Sequence, residues 1–204
     1  MPFSVQHAAA RPAPRALFLT CSDSRVVPTL LTGTAPGELH ELRTAAHVVP
    51  RYRPDAQCPI AATLEFALGA LRVPDVILCG HTDCAALSAL RADPAPPELP
   101  LARNWFTRAA HQPDPDARPT VTGGRTPEER HLLTQLHHLR TYPCVTRRLA
   151  TRRLRLHAWH YDDRTAELRT WDATARAFRP LDAAAAQFAQ ARLTSARGGG
   201  CGPG

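Results

Sequence analysis

The residues best equipped for chemistry are Cys21, Asp23 and Arg25, within "ALFLTCSDSRVVP" (16–28), and His81 and Cys84, within "DVILCGHTDCAALSAL" (75–90). In both stretches an apolar run ends at a potential metal ligand. Zinc takes thiolate and imidazole ligands in a tetrahedron, and a catalytic zinc keeps one position for water. Cys21, His81 and Cys84 would supply three ligands and leave that position open. Two thiolates and one imidazole leave a zinc ion with roughly no net charge, so bound water is acidified less than among three histidines. An acceptor that orients the resulting hydroxide then becomes useful. Asp23, two residues past Cys21, can be that acceptor, and Arg25, two further, can hold the carboxylate ionised and fix its direction. A plainer reading stands beside this one. A buried Cys is commonly a small apolar side chain, a His at a strand end a loop contact, an Asp a helix cap and an Arg a solvated charge.

The elements around these residues must bring the two stretches together. "ALFLT" (16–20) and "DVILCG" (75–80) have the short, continuous apolar character of strands covered on both faces. This places Cys21 and His81 just past two strand ends and Cys84 on the first turn of the helix begun by "DCAALSAL". "ELHELRTAAHVVP" (38–50) offers another strand, and "PIAATLEFALGAL" (59–71) has helical spacing behind a helix-starting proline. "PEERHLLTQLHHLRTYP" (127–143) reads as a helix with Pro127 at its start and Pro143 just past its end. "RLRLHAWHYDDRTAELRTWD" (153–172) reads as two alternating strands about a "DDRTAE" turn, and "LDAAAAQFAQARL" (181–193) as an Ala-rich helix. Strands alternating with helices predict an α/β fold, a mainly parallel β-sheet flanked by helices, with ligands at the carboxyl ends of the strands.

The chain of 204 residues is the size of one domain with a core of its own. The expected organisation is a flexible arm over 1–15, a single domain over 16–194 and a Gly-rich tail over 195–204. Between 92 and 130 the composition shifts to Pro, Asp and Gly, interrupted by one helical piece, "LARNWFTRAA" (101–110), which suits a lid, a partner-binding excursion or disorder. The six cysteines form no regular framework and no signal-like segment opens the chain, so reduced thiols and a cytoplasmic location are expected. No apolar run nears the roughly 18 residues of a membrane span. The net charge of +7 comes from 25 basic residues, all arginines, scattered except in "TRRLATRRLRLH" (146–157). That patch lacks interleaved aromatics and reads as a solvated surface, so no nucleic-acid partner is expected.

"CSDSRVVPTLLTGTAPGELHELRTAAHVVP", "ATLEFALGALRV" and "VILCGHTDCAALSAL" resemble the core of the β-class carbonic anhydrases, whose signatures are a Cys-x-Asp-x-Arg turn and a His-x-x-Cys turn. The similarity runs on through Trp105, "LLTQLHHLRTYPCV" and "LRLHAWHYDDRTAELRTWD", so it covers roughly residues 16 to 172. The resemblance implies zinc on Cys21, His81 and Cys84, a catalytic dyad of Asp23 and Arg25, and reversible hydration of carbon dioxide to bicarbonate and a proton by a zinc-bound hydroxide. It also implies a homodimer or a dimer of dimers, and an aspartate, Asp23, able to swing onto the metal and close the site.

The chain departs from that family in three places. Where the family has Arg-Asn-Ala-Gly-Asn, this chain reads "RTAAH": Arg43 matches, while Thr44, Ala46 and His47 replace Asn, Gly and Asn. Losing the glycine removes freedom for positive φ, and His47 could relay protons, touch substrate or replace a lost Asn hydrogen bond. Ala85 stands where a glycine is usual and is expected to add a methyl beside the metal. Only twenty residues, broken by prolines, precede Cys21, where the family carries a helical arm that wraps a neighbouring subunit. These departures keep two alternatives open: a zinc hydrolase of the same fold acting on another small electrophile (carbon disulfide, carbonyl sulfide or a biosynthetic intermediate), and a zinc scaffold without catalysis. The intact Asp23 and Arg25 argue against the scaffold, which has no use for a dyad.

Overall fold

The computed structural model describes residues 13–23, 25–91, 99–110 and 125–181. Six strands form one mixed sheet in the order β2-β1-β3-β4-β5-β6: β1 (Ala16–Cys21), β2 (Leu39–Thr44), β3 (Asp75–His81), β4 (Arg155–Asp162), β5 (Glu167–Asp172) and β6 (Ala177–Pro180). The first four are mutually parallel, and β5 and β6 add antiparallel ribbons at one side. The parallel sheet and the hairpin around "DDRTAE" follow the sequence expectation. The last strand, β6, goes beyond it: a four-residue edge strand containing Pro180 carries little periodicity.

The central strands are the buried ones. All six residues of β1 are buried and all of β3 except its first, because both lie between partners and are covered on both faces. Alternation along β1 sends Leu17 and Leu19 to one face, with Val76 and Leu78 of β3, against α2 (Pro59–Glu65), α5 (Pro127–Leu139) and α6 (Pro143–Ala150). Ala16 and Phe18 face the other way, with Ile77, Cys79 and Trp159, and meet Leu31 of α1 (Pro28–Thr32). Phe18 and Trp159 pack edge to face at 6.1 Å between centroids. Cys79 is a core residue, and burial pushes its thiol up to about 12.

Prolines open the helices because the first helical N–H has no intrahelical partner to lose. Pro28, Pro59, Pro127 and Pro143 all sit there. Pro143 therefore begins α6 rather than merely following α5, which corrects the sequence reading of that proline as a stop alone. Thr126 and Glu129 close a capping box on α5. After α2 the chain makes one wide π turn, Phe66–Ala70. Arg148 of α6 is tied to this region, donating to the carbonyls of Leu68 (2.9 Å), Arg72 (3.2 Å), Val73 (3.1 Å) and Arg153 (3.0 Å).

Of the expected arm, residues 13–15 are described, and they are held: Arg15 N donates to Glu38 O at 2.9 Å and its guanidinium lies 3.5 Å from the Glu38 carboxylate. The expected helical piece at 101–110 falls within α4 (Pro100–Ala110). The proposed helix over 181–193 and the tail lie outside the described residues, Leu181 excepted. Among the described residues no helix is long and apolar enough to cross a membrane.

Candidate metal centre

β1 and β3 are neighbours and parallel, so their carboxyl ends open side by side. Cys21 and His81 are the last residues of these strands rather than the first beyond them. From His81 the chain turns sharply: Asp83 takes φ of 48°, and Cys84 leads into α3 (Ala85–Arg91) with its carbonyl accepting from Ser88 N at 2.9 Å. The ligand atoms of Cys21, His81 and Cys84 lie within 4.8 Å of one another, and all three residues are buried. The two Sγ atoms are 3.8 Å apart.

The donor set fits a zinc ion on several counts. His81 Nδ1 donates to Thr82 O at 2.8 Å, which leaves Nε2 as the lone-pair nitrogen. That Nε2 is buried and has no hydrogen-bond partner among the described residues, the condition of a ligand without its metal. The thiol pair points the same way. The remaining S–H of Cys84 donates to Cys21 and eases loss of the first proton, whereas the nearby Cys21 thiolate pushes Cys84 up. A dication removes that conflict, since both sulfurs then ionise against its charge. Burial opposes charge on His81, yet the Thr82 carbonyl on Nδ1 and the nearby charges of Cys21 and Asp23 help raise it on balance, a sign of the negative charge gathered here.

Beside these atoms stands the carboxylate–guanidinium pair. Arg25 Nε reaches Asp23 Oδ1 at 3.1 Å and Nη2 reaches Oδ2 at 3.0 Å, the two-point fork expected from the spacing. The Arg25 backbone N–H adds a bond to Oδ1 at 3.0 Å. These bonds, led by the side-chain one, hold the Asp23 carboxyl down at about 2. With both oxygens on Arg25, Asp23 lies outside the three-residue ligand group. Arg43 keeps the turn in shape by donating to Asp23 O (2.7 Å) and Val26 O (2.8 Å).

Apolar side chains complete the surroundings. Cys21 and Cys84 cluster with Ala46, Val48 and Leu87, and Ala45, Ala86, Ala102 and Trp105 pack against them. Ala85 is exposed at the first position of α3 and is not part of this cluster. The "RTAAH" turn behaves as its lost glycine suggests: Ala46 has φ of 55° and His47 φ of 43°, positions costing an alanine about 1 kcal/mol. His47 is fully buried rather than at the mouth. Its ring lies 4.8 Å from that of His131, and a Cβ on Gly80 would come within 3.2 Å of it, so the bare glycine makes room for the imidazole. Neither His47 ring nitrogen has a hydrogen-bond partner among the described residues. Burial, then the nearby His131, pushes His47 well below the ordinary histidine range.

Two charged contacts, one of them on the dyad, escaped the sequence reading. Asp163, in the β4–β5 turn, accepts from Arg25 Nη1 and from the Thr82 hydroxyl. "DDRTAE" carried only a turn signal, and nothing local ties it to residues more than eighty positions earlier. Buried Glu129 pairs with Arg169 at 3.0 Å, and Arg169 Nη2 donates to His160 Nδ1 at 3.2 Å. His137 and His138 lie outside the ligand group, with His138 Nδ1 donating to Val49 O at 2.7 Å.

A sheet with two thiols and an imidazole gathered at the ends of adjacent parallel strands defines a metal-binding α/β protein of the kind seen in β-carbonic anhydrases. The chain belongs to the carbonic anhydrase family, whose model matches residues 16–168. It is 39% identical over 181 residues to a carbonic anhydrase of Pseudomonas aeruginosa, covering 85% of this chain and 80% of that one. Carbonic anhydrase 1 of Escherichia coli O157:H7 is 34% identical, with 86% and 81% covered. Among solved structures, the β-carbonic anhydrase CcaA superposes with a TM-score of 0.68 at 33% identity over 82% of this chain and 84% of that one. A tetrameric β-carbonic anhydrase of Sordaria macrospora shares the fold, with a TM-score of 0.60 at 24% identity over 78% and 80%.

Proposed function

We propose that this protein is a zinc carbonic anhydrase that interconverts carbon dioxide and bicarbonate. The observation that carries the reading is the Asp23–Arg25 fork standing on the turn that leaves Cys21, beside His81 and Cys84. Cys21, His81 and Cys84 would hold the metal. A zinc ion there supplies a Lewis acid that makes water a nucleophile near neutral pH.

The remaining work belongs to this chain's residues. Thr82 O holds His81 in the tautomer that turns Nε2 inward. Asp23, kept ionised by Arg25, accepts the proton-bearing side of the attacking oxygen and leaves its lone pair free for the substrate carbon. Ala46, Val48, Leu87 and Trp105 offer an apolar wall suited to carbon dioxide, which has no charge to pair. His47 is too deeply buried and too strongly held neutral to take the released proton at the mouth.

A homodimer or dimer of dimers, a cytoplasmic location and an organisation of arm (1–15), domain (16–194) and tail (195–204) remain part of the proposal. The relatives' shared architecture supports the first, and the lack of a membrane-length helix among the described residues is consistent with the second. The test is Asp23→Asn. It should keep one zinc per chain and lose about a hundredfold or more in kcat/KM for hydration, the size of effect typical of a lost orienting group. Full activity in that variant would remove the dyad's role.

A further inference from the structure

Arg25 has a second carboxylate. Its Nε and Nη2 face Asp23, Nη2 also donates to Asp83 O at 2.9 Å, and Nη1 donates to Asp163 Oδ2. Four of the five guanidinium N–H groups are thereby placed. The other oxygen of Asp163, Oδ1, accepts from the Thr82 hydroxyl, and Asp163 N donates back to that hydroxyl at 3.2 Å. Thr82 N in turn donates to Tyr161 O at 3.0 Å, and Thr82 O receives His81 Nδ1. One carboxylate on the β4–β5 turn thus grips both the loop that carries Asp23 and the loop that carries His81. The Asp163 side chain is only 16% exposed, while that of Arg25 is 39% exposed and would otherwise have solvent as its restraint at Nη1.

We propose that Asp163 is a positioning residue of the site, holding the guanidinium of Arg25 from behind so that Asp23 stays on Arg25 and aimed at the reacting oxygen. Asp163 touches neither substrate nor metal and acts through Arg25 and Thr82. A planar guanidinium fixed at one end only can pivot about its Nε, carrying Asp23 with it; fixed at both ends it cannot. The β4–β5 hairpin becomes a brace between the two active loops. The catalytic consequence rests on the carbonic anhydrase reading, but the brace itself does not.

The test uses the zinc-loaded full chain labelled with nitrogen-15, and follows the guanidinium resonances of Arg25, assigned by their disappearance in Arg25→Lys. In the native protein, restraint at both ends should slow rotation about the Cζ–Nη bonds and give resolved Nη signals. Asp163→Ala should merge the Nη1 signals, keep one zinc per chain and lower kcat/KM for carbon dioxide hydration about tenfold, as a small misorientation does. Asp163→Asn should restore most of both readouts, because its amide can accept from Arg25 and donate to the Thr82 oxygen. A role limited to stability would not follow that pattern. Should the alanine variant fail to fold, Asp163→Glu carries the same test, since a carboxylate one methylene further out must shift the Arg25 signals. Unchanged Arg25 signals in the alanine variant, or in the glutamate variant taking its place, overturn the proposal. A native protein that holds zinc but hydrates no carbon dioxide overturns the function while the resonance comparison still decides on Asp163.

Discussion

Burial of His47 makes a quantitative claim about acid stability. The imidazole is fully buried and is held well below the ordinary histidine range by desolvation, then by His131. The folded state therefore keeps it neutral, whereas the unfolded chain protonates it around the usual value of about 6.5. A depressed folded value means that stability is complete above the unfolded pKa and is lost as the pH falls. Linkage puts the loss at about 0.1 kcal/mol at pH 7.5 and about 1.4 kcal/mol at pH 5.5, a difference of about 1.3 kcal/mol. His131 and His160 are also lowered by burial and add to the slope. These contributions are common to the native protein and His47→Gln and largely cancel in their difference. Asp23 and Asp75, both depressed, lose their share only at more acid pH. Urea unfolding of the two zinc-loaded proteins from pH 7.5 to 5.5 isolates the effect. The native protein should lose about 1.3 kcal/mol more than the variant, with an uptake on unfolding that reaches nearly one proton only at pH 5.5. Parallel stability curves for the two proteins would refute the argument that His47 is buried neutral.

Other perturbations test other parts of the structure. Arg148→Ala deletes bonds to the carbonyls of Leu68, Arg72, Val73 and Arg153, those to Leu68 and Val73 partly buried, and should cost about 2–3 kcal/mol, since charge-assisted bonds are among the stronger ones, with hydration activity per folded molecule unchanged. Denaturant midpoints read the first and stopped-flow rates the second; an undiminished midpoint would show those bonds to be idle. Cys84→Ser should release the metal and lower thermal stability, because the ligands tie together the ends of β1 and β3 and metal binding adds to folding free energy. Retention of one tightly held zinc in that variant, measured by elemental analysis, would contradict the ligand set.

Much of the site was legible because its residues sit at the ends of the strands with the plainest signal. β1 and β3 are buried on both faces, so their sequences are almost purely apolar and stop at Cys21 and His81. The Asp23–Arg25 fork was legible because a two-residue separation on a tight turn brings such side chains together. The Asp163 contact was not, because it depends on β4 lying beside β3 and on where the hairpin turns. The environment of His47 was hidden for a similar reason: Gly80 and His131 meet around it only after α5 packs on the sheet. Pro143 looked like a stop because the same residue serves to end one helix and to open the next.

The most direct measurement is stopped-flow hydration of carbon dioxide by the zinc-loaded protein, followed with a pH indicator against a Cys21→Ala control. The account predicts rapid acidification that depends on zinc and vanishes in the control. A protein shown to hold one zinc per chain yet no faster than buffer would contradict it, and activity toward carbon disulfide or carbonyl sulfide in the same sample would redirect the site to another small electrophile.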